Sequence, residues 1–154
     1  MTFKDAADTD FPGNYKQGLQ AIKGNDRNKF DFFTNTRNIN GSVDIDSAFK
    51  KQMPHENRWD YVVGYNGNAF FFEVHPMTEG EISQKIIPSA QWLENILSGA
   101  AKNINSLKKY PLFWVSTNAG DQLRITPKSK HWKMLEKMHI EWRKKEIFST
   151  FQSS

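Results

Sequence analysis

The chain has no cysteine among its 154 residues. That excludes a disulfide framework, a thiolate metal centre and a thiol nucleophile together, and it agrees with a cytoplasmic setting. Long apolar runs are also missing. No segment approaches the ~18 consecutive apolar residues of a membrane-spanning helix. The opening residues, Met1-Thr-Phe-Lys-Asp-Ala-Ala-Asp, lack the apolar stretch of a secretory signal. The expectation is a protein neither exported by a standard signal nor placed in a membrane. There is no internal repeat, no low-complexity tract and no linker that would divide two domains. A Gly-rich phosphate loop, a Gly-x-Ser-x-Gly elbow, a His-Glu-x-x-His pair and a dinucleotide fingerprint are all absent, so nucleotide hydrolysis, serine hydrolysis and zinc proteolysis have no support.

What is present is aromatic and basic. Hydrophobic residues make up only 38% of the chain, but twelve Phe and five Trp supply large apolar area per residue, enough for one real core at this length. The net charge is +4, and it is unevenly spread. Between Lys102 and Lys145 eleven Lys and Arg face only Asp121, Glu136 and Glu141. The C-terminal third is therefore the basic pole, which permits nucleic-acid contact without demanding it.

Residues 1–13 are polar, end in Phe11-Pro12-Gly13 and read as a loosely attached terminus ahead of a single domain over 14–148. A first helix is expected after Asn14, from Tyr15, Leu19 and Ile22 at helical spacing with a stop at Gly24-Asn25. Val43 to Phe49 alternates apolar and polar residues as a half-buried strand does. The strongest local signal follows: two β-rich runs, Trp59–Tyr65 and Ala69–His75, around Asn66-Gly67, a tight hairpin. Thr78-Glu-Gly-Glu81 has capping-box spacing. Pro88 opens a helix expected over about 88–108. Residues 111–117 read as a buried strand, 122–126 as a short one, and 129–147 as an amphipathic helix burying Trp132, Leu135 and Trp142. The fold class is then α/β (α+β): a single domain with a central mixed sheet containing a hairpin, flanked by helices, in the order α-β-β-β-α-β-(β)-α.

Asp60 and Glu73 lie equidistant from Asn66-Gly67, so the hairpin makes them cross-strand neighbours on one face, with Cβ atoms about 4.5–5.5 Å apart. Two carboxylates so close repel unless a cation or proton lies between them. Glu73 also interrupts the apolar Phe70-Phe-Phe-Glu-Val run, where a charge needs a partner such as Arg58 or a lysine. The plainer alternative is a pair of polar residues on a solvated hairpin face. His75 points to the same side as Glu73.

An Asp, a hairpin and then Glu-x-Lys on the next strand resembles the PD-(D/E)xK, or restriction-endonuclease-like, nuclease superfamily. Here the pattern is Asp60, twelve intervening residues and Glu73-Val74-His75, and the resemblance spans about residues 14–126. It implies a metal-dependent nuclease acting on DNA phosphodiesters. Mg²⁺ or Mn²⁺ would be held by Asp60, Glu73 and the Val74 carbonyl, with His75 or Lys85 orienting the attacking water. The sequence departs from the family at His75, which stands where the motif has lysine and cannot place a compact permanent cation there. Lys85 on the following helical turn is the migrated alternative, with Gln84 nearby. The family's early acidic residue has three candidates, Asp44, Asp46 and Glu56. Lys128, Lys130, Lys133 and Lys137 are the candidate phosphate contacts. The competing implication is a nuclease fold without catalysis, binding nucleic acid or a protein partner. The basic run Arg143-Lys-Lys145 reads as a solvated helix end.

Overall fold

Asn66 and Gly67 adopt positive φ angles of 51° and 80°, the left-handed pair that a two-residue hairpin needs to match the twist of its strands. In the computed structural model, which describes residues 1–118 and 120–152, this turn joins β3 (Tyr61–Tyr65) to β4 (Asn68–Val74). Tyr61 pairs with Phe72 and Tyr65 with Asn68. Both strands are buried along almost their whole length, which explains their near-continuous apolar composition.

The hairpin sits at the centre of a six-stranded sheet in sequential order. On one side β2 (Ile39–Asp44) and the short β1 (Tyr15–Lys16) continue it antiparallel. On the other, β5 (Leu112–Val115) and β6 (Ile140–Glu141) are added parallel. The mixed sheet expected from the element order is therefore present. The crossover from β4 to β5 consists of α4 (Glu79–Glu81), a π-helical turn Ile82–Ile86, α5 (Ile87–Leu97) and α6 (Lys102–Asn105).

The two sheet faces carry different cores. Val43, Val62, Phe71 and Trp114 face α5 and α1 (Phe3–Asp10), together with Leu93 and Ile96. Tyr61, Val63, Phe70, Phe72 and Phe113 face the opposite way into an aromatic cluster with Phe30, Phe32 and Phe151, whose rings sit 4.6–6.3 Å apart in tilted, stacked and edge contacts. The phenylalanine-rich composition is thus concentrated on one face. The last helix, α8 (Lys144–Thr150), closes that side through Ile147.

Several local expectations are corrected. The N-terminus is not loosely attached: Thr2 and Asp5 form a reciprocal capping box, and Phe3, Ala6, Ala7 and Phe11 are fully buried. Phe3 lies over Gly64 so closely that a Cβ there would be 2.4 Å from its ring. The expected helix after Asn14 is instead β1 and a series of turns, because the Tyr15 ring packs on Gly41 and its hydroxyl donates to the Asn40 carbonyl at 2.7 Å. The strand expected over 43–49 ends at Asp44, whose carboxylate accepts from the Ser47 N–H and hydroxyl at 2.9 and 2.8 Å. It starts the short helix α3 (Ile45–Phe49). A further short helix, α2 (Gly24–Arg27), occupies the stop expected at Gly24-Asn25.

The helix over 88–108 breaks after Leu97. Its second part, α6, is capped from a distance: Asp10 accepts the Ile104 N–H at 2.7 Å and the Asn103 amide at 2.8 Å. Residues 122–126 form no strand. The helix expected over 129–147 is α7 (Lys130–Lys137), then a reversal at His139 with φ 54°, then β6 and α8. Glu141 stabilises that break by accepting the N–H groups of Trp142 and Arg143 at 3.0 and 2.8 Å. The Arg143-Lys-Lys145 run consequently begins α8 rather than ending a long helix.

Candidate functional site

Side-chain alternation places Asp60 two residues before Val62 and Glu73 two after Phe71, on the face covered by α5. The two carboxylates interlock through the backbone. Glu73 Oε1 accepts the Asp60 N–H at 3.1 Å, and Asp60 Oδ2 accepts the Val74 N–H at 2.9 Å. The Val74 contact at the site is therefore its amide. Asp60 also ties the start of the hairpin to α3, since its carbonyl accepts the Ile45 N–H at 2.8 Å.

Glu73 is buried, at 1% exposure, and Asp60 is half-buried, so the solvated-face alternative does not describe them. Burial pushes the Asp60 carboxyl up to about 7, against the opposing pull of the Val74 N–H. Burial, and after it the neighbouring Asp60, drives Glu73 well above the usual carboxylate range. Neither forms an ion pair among the described residues. Arg58, the partner considered for Glu73, binds Asp46 instead at 2.9 Å.

Of the three early acidic candidates, Asp46 is the one whose charge reaches the pair, raising both carboxyl groups. Asp44 caps α3, and Glu56 is exposed. Lys85, half-buried, lies close enough for its ammonium to oppose the upward shift of both carboxyls, yet it forms no hydrogen bond or ion pair of its own among the described residues. It is carried on the π-helical turn that inserts a residue into the crossover helix, a distortion found often at functional sites. Gln84 beside it is exposed.

His75 occupies the strand end beyond Glu73, but its Nε2 meets Glu81 Oε2 at 2.6 Å. That pairing diverts Glu81 from the capping role its spacing suggested; Thr78 makes no side-chain cap bond. Sequence reasoning missed Glu81, and the i+6 separation from His75 across a proline gave no periodic signal. A second such contact, His131 Nδ1 to Glu79 Oε2 at 2.6 Å, fastens α7 to α4. Lys130, Lys133 and Lys137 recur at helical spacing along an exposed face of α7, and exposed Lys128 precedes them.

Among the described residues no three His, Asp or Glu side chains converge as metal ligands. The oxygens outside those two bonds, Asp60 Oδ1 and Glu73 Oε2, are hard donors, and the Lys85 ammonium is the positive charge that reaches them. Carboxylate oxygens are the donor type that Mg²⁺ takes. His75 turns its Nε2 to Glu81. Among the described residues no helix is long and apolar enough to cross a membrane. No protein-family model, curated protein or solved structure matches the chain.

Proposed function

We propose that the chain is a nuclease-like protein acting on DNA phosphodiesters through Asp60, Glu73 and Lys85, with Mg²⁺ or Mn²⁺ as cofactor. The observation that carries this reading is the interlocked pair of desolvated carboxylates with no ion-pair partner, beside a half-buried lysine that is also unpaired. Such a pair is costly in a structural sheet and useful where a cation binds.

Asp60 Oδ1 and Glu73 Oε2 would hold the ion, while the backbone bonds of the other two oxygens fix the side-chain directions. A divalent ion bound there would supply charge to a phosphoryl oxygen and acidify a coordinated water. Lys85 orients the attacking water or steadies the charge that builds on the phosphate. The lysines of α7 hold flanking phosphates without reading bases. Titration calorimetry with Mg²⁺ and Mn²⁺, alongside cleavage of supercoiled and linear DNA, tests this. Metal binding lost in Asp60→Ala and Glu73→Ala supports it, and no binding at millimolar metal removes it.

One observation favours a second reading, a binding module that keeps the fold without catalysis for nucleic acid or a protein partner. The motif-lysine position is His75, and it is committed to Glu81. Under that reading DNA is retained in gel shift with a steep salt response and is never cut.

A further inference from the structure

Two Asn-Gly pairs occur in the chain, Asn40-Gly41 and Asn66-Gly67, and the fold ties them to each other. Asn66 and Gly67 form the exposed hairpin turn, while Asn40 stands exposed on the neighbouring strand β2. The Gly67 N–H donates to Asn40 Oδ1 at 2.7 Å, and the Asn66 N–H donates to the Asn38 carbonyl at 2.9 Å. We propose that Asn66 is a site of spontaneous modification, at which the Gly67 nitrogen closes on the Asn66 side-chain amide with loss of ammonia, and that Asn40 governs its rate.

The reaction needs only the chain and water. The Gly67 nitrogen gives its proton to solvent base and attacks Asn66 Cγ. A C–N bond forms, the Cγ–Nδ2 bond breaks, and Nδ2 takes up a proton and leaves as ammonia. Water then opens the five-membered imide at one carbonyl or the other, giving aspartate or isoaspartate. Glycine leaves the attacking nitrogen unshielded, having no Cβ. Apart from its chain neighbours, nothing lies within 4 Å of where a Cβ on Gly67 would stand.

The hydrogen bond is what holds the step back. To react, the nitrogen must lose its proton and come within about 3–3.5 Å of Asn66 Cγ. Asn40 keeps that proton engaged, and the left-handed turn, with φ 51° and 80°, fixes both residues. The same bond occupies the Asn40 side-chain amide, the group that Gly41 would have to attack in the other pair. Behind it the Asn40 carbonyl accepts the Tyr15 hydroxyl at 2.7 Å. The two products differ in consequence. Aspartate tolerates the left-handed conformation and keeps the turn. Isoaspartate adds a main-chain atom to the loop that sets the pairing of β3 with β4.

The inference is independent of the metal reading and is tested without metal. The whole chain is held at neutral pH and sampled by peptide mass spectrometry, with aspartate and isoaspartate separated by elution. Slow conversion at Asn66 is expected in the native chain, and conversion at both pairs faster by roughly tenfold or more in urea. Folded Asn40→Ala should speed the reaction at Asn66 by roughly three- to tenfold. Asn40→Asp keeps an acceptor for the Gly67 N–H and should react at the native rate. Tyr15→Phe loosens Asn40 without removing that acceptor, so it controls for a general loss of stability and should accelerate less than Asn40→Ala. An Asn40→Ala rate equal to the native one, or an acceleration matched by Asn40→Asp or Tyr15→Phe, overturns the proposal. So does an Asn66 that stays intact in urea.

Discussion

Asp60 and Glu73 each bind a backbone N–H on the opposing strand, Glu73 taking that of Asp60 and Asp60 that of Val74. The end of the hairpin is thereby fixed by two groups that resist ionisation together. Stability should record this. Asp60 holds its proton to about 7 when folded, against an ordinary value of 3.8, so the folded state binds a proton that the unfolded chain has released. Its contribution is complete below about pH 3.8 and is lost as pH rises towards 7. In chelator the difference in melting temperature, native minus Asp60→Asn, should fall across that window and then level off. Asn keeps the Val74 contact through its carbonyl oxygen and removes the charge, so above pH 7 the variant should be the more stable protein. A difference that grows with pH would refute the assignment.

Metal should reverse that ordering. Mg²⁺ bound to the ionised pair stabilises only the native chain, by an amount that rises with concentration over Kd. Differential scanning at pH 8 should show a melting temperature that climbs between about 0.1 and 10 mM Mg²⁺. The climb should disappear in Asp60→Asn and Glu73→Gln. At pH 5, where Asp60 holds its proton, it should be small even in the native chain.

Lys85 opposes the upward shift of both carboxyls without contacting either, so Lys85→Met should raise the pH at which Asp60 ionises. Carboxyl NMR titration would read the change directly, and the stability step described for Asp60 should move to higher pH with it. Where cleavage is observed, the variant should lose about 10²-fold or more of it while metal affinity falls far less. Unchanged ionisation would place Lys85 outside the site.

How much of this was legible in the sequence depended on range. Asn66-Gly67 fixed the hairpin register because turn chemistry is local, and from the register came the Asp60–Glu73 pair. Where the decisive contact came from afar, periodicity misled. Tyr15 and Leu19 have helical spacing, but Gly41 gives the Tyr15 ring a place on the sheet. A polar N-terminus looked detached, yet Phe3 had a partner in Gly64, sixty-one residues on. Asp10 caps a helix more than ninety residues away. A cavity beside the start of α8 was invisible for the same reason: its lining comes from segments near residues 30, 115 and 143.

The contact of Phe3 with Gly64 supplies the sharpest test of packing. A methyl at residue 64 would fall 2.4 Å from the Phe3 ring and 2.7 Å from its neighbouring atoms, inside any tolerable contact. Because residue 64 is in the central hairpin, the ring and α1 must yield. Gly64→Ala should cost about 1–3 kcal/mol by overpacking, and Phe3→Ala about 3–5 kcal/mol through the cavity it leaves. In the double variant the new methyl occupies part of that cavity, so the combined loss should be smaller than the sum. Urea unfolding of the four proteins measures the coupling. Strict additivity would mean that Phe3 does not cover Gly64, and with it would fall the account of why this N-terminus belongs to the core.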